Sequence, residues 1–342
     1  MIKKLTVAIL GSTGYVGLEL VKILSRHPNV LINFLGSENS PNQKISDFDS
    51  SLKVFKLPNI DLNINFNPKN SDVVFLALPH GISHKYVKNL FNKIKIIDLS
   101  ADFRLNNIQT YYDNYDNEHS CPEILQSFIY GLTEINRSHI ENSSNIAVPG
   151  CYPTSVLLPL IPLLQNNMID IKNIIIDSKS GYSGAGKKFD IRNIKNKFDL
   201  NFYNYNTNIH RHICEIKQEM NNISKSNVSF SFNPHILPNF RGMMSTIYCN
   251  LINNINQKDV IKLFYNFAES NPFIKLFKNE KRADFFSVQN TNNCIIKIFN
   301  HIDEDKIIIV SLIDNLIKGA AGQAVQCLNI SYGFDETIGL KK

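Results

Sequence analysis

One cysteine lies where a nucleophile would be placed. Residues 148–154, V-P-G-C-Y-P-T, bring Cys151 to the point where a loop enters a strongly apolar, helix-like stretch. The start of a helix favours a thiolate, because the helix dipole and the first N–H groups stabilise negative charge. Gly150 lets the backbone approach a reacting carbonyl, and backbone N–H groups there are suited to hold an oxyanion. Most lone cysteines are small buried hydrophobic residues, but this setting favours a nucleophile at Cys151.

A cysteine nucleophile needs a partner that transfers protons, and residues 210–212, H-R-H, are the best candidates. In an extended segment, His210 and His212 share a face. At the start of a helix they diverge, and only one of them can be the base. Glu215 follows one turn later, where it can orient a ring. Metal binding by this cluster together with Cys214 is a weaker alternative, because the spacing matches none of the usual zinc patterns, and we expect no metal.

A glycine-rich loop lies near the N-terminus. Residues 11–17, G-S-T-G-Y-V-G, separate an apolar run from a segment of helical period. Glycines permit the tight turn and the close approach of a pyrophosphate, and the helix start binds anions. The spacing differs from the usual G-x-G-x-x-G. Its place in a strand-loop-helix unit predicts a dinucleotide site, with a glycine turn that only packs the helix on the strand as the alternative.

The kind of dinucleotide is open at this point. Glu38 lies near the end of the second predicted strand, where an acidic residue would hold a free ribose 2′-hydroxyl. Ser37, Ser40 and Lys44 lie in the same stretch and are suited to hold a 2′-phosphate instead. The residue types alone allow either cofactor.

Two arginines have settings that suit anion binding. Arg104 ends the motif D-L-S-A-D-F-R after a predicted strand, and Arg241 lies in the turn-like motif P-N-F-R-G. A guanidinium can bind a carboxylate or a phosphate through two parallel hydrogen bonds. Each arginine alone is more often a surface ion pair. Together with the predicted nucleophile and dinucleotide loop, they indicate an anionic substrate.

The elements that must position these residues fall into two groups. In the first half, apolar strands alternate with helices, which predicts a doubly wound parallel sheet. After residue 149 the pattern changes to one apolar helix, in which Pro159 and Pro162 should cause a bend, and then to strands of a second sheet. The predicted strands are 6–10, 30–35, 72–78, 95–98, 174–178, 228–232, 243–251, 294–299 and 306–312. The predicted helices are 15–25, 83–91, 151–164, 259–270 and 320–332, while residues 188–207 show no clear period.

Composition excludes several classes of protein. A chain of 342 residues with 43% hydrophobic residues can build two domains. The net charge of +6 is modest, and without a dense basic block we expect no nucleic-acid partner. No apolar run is long enough to span a membrane. The six cysteines form no C-x-x-C pair and the N-terminus does not resemble a signal peptide, so we expect a cytoplasmic protein with reduced thiols.

Taken together, the motifs resemble the N-acetyl-gamma-glutamyl-phosphate reductases of arginine biosynthesis. The matching stretches run in order along nearly the whole chain, which makes the combination far more specific than any one motif. They are G-S-T-G-Y-V-G at 11–17, F-L-A-L-P-H-G at 75–81, D-L-S-A-D-F-R-L at 98–105, Y-G-L-T-E-I-N at 130–136, V-P-G-C-Y-P-T at 148–154, S-G-Y-S-G-A-G-K at 180–187, H-R-H at 210–212, P-N-F-R-G at 238–242 and D-N-L-I-K-G-A-A-G-Q-A-V-Q at 314–326. The chain departs from the family at Cys214, where a proline is usual, and matches only loosely at 37–44.

The resemblance implies an α/β fold of the semialdehyde dehydrogenase type. A Rossmann-like NADP-binding domain would span residues 1–149 and be completed by a C-terminal helix at 315–342. An α+β domain for catalysis, substrate binding and oligomerisation would span residues 150–314. The resemblance also implies a homodimer or homotetramer.

The resemblance assigns roles to individual residues. It implies NADPH as cofactor, an acyl phosphate as substrate, Cys151 as the nucleophile that forms a thioester, and His210, or less favourably His212, as the acid/base. Arg104, His212 and Arg241 would hold the substrate. The implied cofactor contacts are Gly11, Ser12, Thr13, Gly14, Tyr15, Val16, Ser37, Pro79, Ser183, Gly184 and Asn315.

Three other functions are compatible with the same residues. The nearest is a sister acyl-phosphate reductase, such as an aspartate-semialdehyde or glyceraldehyde-phosphate dehydrogenase. A second is a regulator that binds NADP without catalysis, although Cys151 and His210 are both present. A third is a cysteine hydrolase that needs no dinucleotide.

Overall fold

The apolar runs of the N-terminal half form a parallel sheet. This is seen in a computed structural model that describes residues 4–187, 201–252, 255–277, 282–303 and 305–342. Within those ranges the sheet has seven strands in the order β3-β2-β1-β4-β5-β7-β6, and every neighbouring pair is parallel. The strands are β1 (Leu5–Leu10), β2 (Val30–Gly36), β3 (Ile60–Asp61), β4 (Val73–Leu76), β5 (Lys95–Asp98), β6 (Ile129–Tyr130) and β7 (Asn145–Ala147).

The sheet is covered on both faces, as a doubly wound fold requires. Along β1, Val7 and Ile9 enter one apolar core, while Ala8 and Leu10 enter another. Because side chains alternate along a strand, these two cores lie on opposite faces. This explains the uninterrupted apolar run in the sequence, which is typical of parallel sheets with helices on both sides.

The strand order reverses direction between β1 and β4, which are neighbours in the sheet. The loops that follow these two strands lie close together, since a methyl group added at Gly11 would come within 2.3 Å of the carbonyl oxygen of Ala77. In open α/β sheets, ligands bind beyond the carboxyl ends of the strands at such a reversal. The predicted dinucleotide loop is therefore at the position where this fold binds ligands.

Four helices connect the strands of this sheet among the described residues. They are α1 (Tyr15–Ser25), α2 (Ser83–Leu90), α3 (Ile108–Tyr115) and α4 (Thr133–Glu141). The first two agree closely with the prediction. We did not predict α3 and α4, because both are short and rich in polar residues and therefore carry a weak apolar period.

A second, mixed sheet follows residue 150. Its strand order is β12-β13-β14-β11-β8-β10-β9, with parallel pairs only at β8–β10 and β12–β13 within the described part of the chain. The strands are β8 (Ile174–Gly181), β9 (Tyr203–Asn204), β10 (Phe230–Leu237), β11 (Met243–Asn250), β12 (Ile274–Leu276), β13 (Cys294–Asn300) and β14 (Lys306–Ile313).

Helices cover one face of the second sheet. They are α5 (Cys151–Gln165), α6 (His212–Ser224) and α7 (Gln257–Ser270), and α5 packs against β11, β13 and β14. The side chains of β8 alternate accordingly, so that Ile174 and Ile176 are buried while Ile175 between them is exposed. Antiparallel and mixed sheets often show this division into a core face and an outer face.

The last helix of the described chain packs against the helices that cover the first sheet. A π-helical turn (Ile317–Ala321) leads into α8 (Gly322–Ser331), which packs against α1 and α4. Ala324, Val325 and Leu328 of α8 enter the same core as Val7 and Ile9. The contacts accordingly divide the chain into a first unit, Met1–Pro149 with Ala320–Leu340, and a second unit, Gly150–Gly319 with Lys341–Lys342.

Several predicted boundaries need correction. The predicted strand 228–232 runs instead from Phe230 to Leu237. Pro234 is tolerated inside this strand, because β9 pairs only with the two residues that follow the proline. Helix α5 continues through Pro159 and Pro162 as one helix. Residues 188–200 of the stretch without a period lie outside the described residues. No helix in the described part of the chain is long and apolar enough to cross a membrane.

Candidate active site

The glycine loop of the first unit is closely packed. Gly11 has a φ of +82°, which favours glycine, and Gly17 approaches so near that a methyl group there would lie 2.2 Å from the carbonyl oxygen of Gly11. Helix α1 starts after Gly14, which offers no side chain to its first N–H groups. The loop therefore presents backbone rather than side chains at a helix start, which is the arrangement that binds phosphates.

The end of β2 lies beside this loop. The hydroxyl groups of Thr13 and Ser37 are hydrogen-bonded at 2.8 Å. Glu38 accepts a hydrogen bond of 2.9 Å from the hydroxyl of Tyr86. Ser37 is thus hydrogen-bonded to the predicted cofactor loop, whereas the carboxylate of Glu38 is hydrogen-bonded to Tyr86, which lies outside that loop. Pro79 lies in the exposed loop after β4.

Cys151 is the first residue of α5 and is partly exposed. Gly150 is the N-cap, and its backbone N–H donates to Glu215 Oε1 at 2.9 Å. The carbonyl oxygen of Gly150 accepts hydrogen bonds from both the backbone and the hydroxyl of Thr154. The thiol therefore stands at a helix start whose backbone is fixed on both sides, a position that stabilises an anion.

His210 and His212 lie on either side of a helix start. Helix α6 begins at His212, whereas His210 precedes it. Their ring centroids are 4.8 Å apart, and they lie 5.3 and 6.0 Å from the ring of Tyr152, which follows Cys151 in the chain. The two rings thus neither share the face of a strand nor diverge along a helix. They meet beside the residue next to the predicted nucleophile.

The environment of His210 keeps its ring neutral. The side chain is buried, and its Nδ1 accepts a hydrogen bond of 3.1 Å from the backbone N–H of His212. Burial, and to a smaller extent the charge of Arg211, lowers the pKa of His210 to about 4. Glu215, which we expected to orient a ring, holds the N–H of Gly150.

Three further residues that the sequence associated with the cofactor lie together in the second unit. Asn315 donates from Nδ2 to the hydroxyl of Ser183 at 2.9 Å and accepts a hydrogen bond of 2.8 Å from the backbone N–H of Gly242. A methyl group added at Gly184 would lie 3.8 Å from Asn315 Nδ2. Asn315 therefore fixes the small-residue loop at 180–186.

Arg104 is buried in the first unit and bonded to the main chain. Its Nε donates to the carbonyl oxygen of Val148 at 2.7 Å, and its Nη2 donates to that of Leu99 at 2.8 Å. Val148 lies three residues before Cys151. Arg104 consequently fixes the course of the strand end that leads toward the predicted nucleophile.

Arg241 is also buried, in the second unit. Its Nη1 bonds to Asn290 Oδ1 and lies 3.4 Å from the buried carboxylate of Asp314. Burial raises the pKa of Asp314, an effect that the charge of Arg241 opposes. The carboxylate also accepts backbone N–H bonds from Asn290, Leu316 and Ile317. This pair links three chain segments around the start of the π-helical turn.

The geometry agrees with comparisons against known proteins. Residues 6–143 match the family model for the semialdehyde dehydrogenase NAD binding domain, and residues 151–315 match that for the semialdehyde dehydrogenase dimerisation domain. Proteins called N-acetyl-gamma-glutamyl-phosphate reductase are similar over nearly the full length. The one from Caldicellulosiruptor bescii is 44% identical over 97% of each chain. The one from Clostridium botulinum is 41% identical over 98% of this chain and 97% of its own.

The chain belongs to the N-acetyl-gamma-glutamyl-phosphate reductase family. A probable chloroplastic reductase of Arabidopsis thaliana, 38% identical over 99% of this chain and 84% of its own, extends the likeness to plants. Both matched domains are those of dehydrogenases, so the predicted enzyme class, the α/β fold and a nicotinamide-dinucleotide domain are confirmed.

Solved structures support the fold of this reductase family member. Aspartate semialdehyde dehydrogenase II of Vibrio cholerae superposes with a TM-score of 0.74 at 19% identity, over 97% of this chain and 99% of its own. The enzyme of Candida albicans, solved with NADP, gives 0.71 at 17% identity over 98% and 100%. At these identities the likeness concerns the fold alone.

Sequence reasoning missed two tyrosines of this reductase. Tyr152 contacts both histidines of the H-R-H motif, and the hydroxyl of Tyr205 lies 3.3 Å from His210 Nε2. The position of Tyr152, next to the cysteine at a helix start, is a signal that would have revealed it. Tyr205 lies in the polar, aromatic stretch without a period and gives no such signal.

Proposed function

We propose that the chain catalyses the NADPH-dependent reductive dephosphorylation of N-acetyl-gamma-glutamyl phosphate to N-acetylglutamate 5-semialdehyde, a step of arginine biosynthesis. The observation that carries this proposal is the placement of Cys151 at the start of α5, with the rings of His210 and His212 beside the adjacent Tyr152. A nucleophile at a helix start with a histidine nearby is the arrangement that thioester chemistry needs. The names of relatives up to 44% identical supply the substrate.

The first unit fits a bound dinucleotide. Its glycine loop keeps side chains away from the start of α1, so that backbone N–H groups can face a pyrophosphate. Gly11 to Val16 and Pro79 would hold the cofactor there, and Ser37 with Thr13 would hold the 2′-phosphate of NADP. The resemblance assigns further cofactor contacts to Ser183, Gly184 and Asn315. When bound, the nicotinamide supplies the hydride.

Cys151 and His210 carry the covalent steps in this proposal. The thiolate sulfur of Cys151 attacks the acyl carbon, a C–S bond forms, and the C–O bond to phosphate breaks so that phosphate leaves with the electron pair. After reduction of the thioester, backbone N–H groups near Cys151 stabilise the hemithioacetal oxyanion. Collapse of this species breaks the C–S bond and releases the aldehyde, and His210 returns to the departing sulfur the proton that it took from the Cys151 thiol when the thiolate formed.

His212, Arg104 and Arg241 would hold the anionic groups of the substrate. Both guanidinium groups are fixed by internal partners, Arg104 by two carbonyl oxygens and Arg241 by Asn290 and Asp314. A fixed cation loses little freedom when it binds an anion, which favours affinity and orientation. In this proposal the first unit, Met1–Pro149 with Ala320–Leu340, binds NADP, and the second unit carries catalysis and oligomerisation.

We also propose that the protein is a cytoplasmic homodimer or homotetramer. The match to a dimerisation domain supports an oligomer. The outer face of the second sheet exposes Ile175 and its cross-strand neighbour Tyr248. Exposed apolar residues that lie side by side on a sheet are typical of a subunit interface.

The decisive experiment is the reverse reaction. N-acetylglutamate semialdehyde, NADP and phosphate are mixed with wild-type protein or with Cys151→Ser, and NADPH is followed by its absorbance. Phosphate-dependent formation of NADPH that is lost in the variant, while NADP binding is retained, would support reaction, substrate and nucleophile together. A variant that still turns over would remove Cys151 from the mechanism.

The same assay separates the alternatives. Turnover of aspartate semialdehyde instead would make the chain a sister acyl-phosphate reductase. NADPH binding without any turnover would indicate a regulator. Thioester formation that needs no dinucleotide would indicate a cysteine hydrolase.

A further inference from the structure

A series of hydrogen bonds leads from His210 toward the helix of Cys151. His210 Nε2 lies 3.3 Å from the hydroxyl oxygen of Tyr205. That hydroxyl donates to the hydroxyl oxygen of Tyr152 at 3.3 Å, and Tyr152 donates to the carbonyl oxygen of His235 at 3.2 Å. Tyr152 follows Cys151 directly in α5, so the series anchors the ring of His210 to the residue next to the proposed nucleophile.

The hydrogen bonds of this series are compatible with one assignment of donors and acceptors. Nδ1 of His210 accepts the backbone N–H of His212, and a nitrogen that accepts a hydrogen bond cannot carry a proton. The neutral ring therefore holds its proton on Nε2, which faces the oxygen of Tyr205. Tyr205 and Tyr152 then each donate onward, so that each donor in the series has an acceptor.

We propose that Tyr205 is a positioning residue of the acid/base step, and that its hydroxyl, anchored through Tyr152, holds the ring of His210 in one orientation by accepting its Nε2–H. This inference rests on the proposed function, because it assumes that His210 moves a proton during thioester chemistry. Tyr205 acts through His210 and needs no contact with the substrate.

The electrostatics of the cluster agree with this arrangement. Burial, and to a smaller extent the negative charge of Cys151, raises the pKa of Tyr205 to about 12, and the hydrogen bond between Tyr205 and Tyr152 opposes this effect. Burial and Tyr205 also raise the pKa of Tyr152 well above its ordinary value. Both hydroxyl groups therefore keep their protons at neutral pH, and they orient the ring of His210 without ionising. The positive charge of Arg211 lowers the pKa of both His210 and Tyr205.

The test compares Tyr205→Phe with wild type in the NADPH assay. Loss of one hydrogen bond to the ring should lower kcat about five- to tenfold and leave KM within about twofold. The solvent deuterium isotope effect on kcat should increase, because proton transfer becomes more rate-limiting when the ring is less well held. A purely structural role would lower the melting temperature without changing the isotope effect. Tyr265→Phe, the same change at an exposed position of α7, is the matched control.

A double-mutant cycle tests the anchor. Tyr152→Phe should change kcat in the same direction as Tyr205→Phe, and the double variant should be no slower than Tyr205→Phe alone, because both changes break one series. Additive losses would contradict the connection through Tyr152. If Tyr205→Phe does not fold, Tyr152→Phe alone carries the test through its isotope effect.

The outcomes separate this inference from the proposed function. An active wild type together with an unchanged Tyr205→Phe variant would overturn the inference and leave the function standing. A folded wild type that binds NADP but turns over no N-acetylglutamate semialdehyde would overturn the function, and the inference with it.

Discussion

The carboxylate of Glu215 accepts the backbone N–H of Gly150 at 2.9 Å, and Gly150 is the residue before Cys151. Glu215 lies in the first turn of α6 and is almost fully buried. One side chain thus joins the starts of α5 and α6, which begin at the proposed nucleophile Cys151 and at His212. The position of Cys151 depends on α6 as well as on its own helix.

Glu215→Ala should reduce both stability and turnover. It removes the acceptor of a buried N–H, which costs about 1–3 kcal/mol of stability. Glu215→Gln keeps an oxygen at the same place and should stay close to wild type. Melting temperature and kcat/KM of the two variants check this. Equal behaviour of the alanine and glutamine variants would show that the hydrogen bond to Gly150 is unimportant.

His210→Asn should lower kcat by a factor on the order of 10²–10⁴. His212→Asn should lower kcat less. The larger loss at His212 would reassign the acid/base. A pH profile adds a second readout. Because the pKa of His210 is lowered to about 4, its ring is neutral above that pH, and kcat/KM should fall on the acid side only near pH 4. In an exposed histidine the same fall would occur near pH 6.5.

Two glycines of the cofactor loop should respond differently to alanine. At Gly17 the new methyl group would lie 2.2 Å from a backbone oxygen, so Gly17→Ala should lower the melting temperature as well as NADPH affinity. At Gly14 the nearest atom is 3.5 Å away and φ is −68°, which alanine adopts easily. Gly14→Ala should therefore fold normally, and weaker NADPH binding by titration calorimetry would then report a close approach of the cofactor. Unchanged binding would argue against pyrophosphate at this loop.

Asp98, at the end of β5, should make stability depend on pH. Burial and then the charge of Asp102 raise the pKa of Asp98 to about 7, although its oxygens accept hydrogen bonds from the backbone and hydroxyl of Ser100. A carboxyl group with a raised pKa binds its proton more tightly in the folded state, so its contribution to stability is lost as pH rises from about 4 to 7.

Asp98→Asn replaces the titrating carboxyl group by a neutral amide, so the variant should not lose stability in this way as the pH rises. Relative to wild type, its melting temperature should rise by roughly 5–10 °C on going from pH 5 to pH 8, because a pKa of about 7 corresponds to about 2–3 kcal/mol over that range. Thermal scans of both proteins at the two pH values check the difference. A constant difference would show that Asp98 is not protonated in the folded protein at pH 5.

The sequence predicted the elements whose apolar pattern is complete. Helix α1 and strand β5 have the predicted bounds, because each is limited by residues that end the pattern on both sides. Helices α3 and α4 were missed because tertiary packing, and not an apolar period, stabilises them. Among the proposed site residues, Cys151, His210 and His212 were predicted from local motifs.

Other parts of the site depend on contacts between distant segments. Arg104 was expected to face a substrate, and its bonds to Val148 and Leu99 follow from the chain's course in the first unit. Tyr205 meets Tyr152 from 53 positions away, a contact that no local pattern encodes. Likewise, Glu215 was expected to orient a histidine ring but accepts the backbone N–H of Gly150, 65 positions away.

The return of α8 to the first unit has a consequence during synthesis of the chain. When residue 149 leaves the ribosome, the core around Val7 and Ile9 still lacks Ala324, Val325 and Leu328. The 170 residues of Gly150–Gly319, which belong to the second unit, must be made before these side chains arrive. The nascent first unit therefore exposes part of its apolar core throughout that interval, and it can reach full stability only after α8 has been made. The second unit also waits for its last strand, β14, but this strand precedes α8 in the chain, so we expect the second unit to mature first although it begins later.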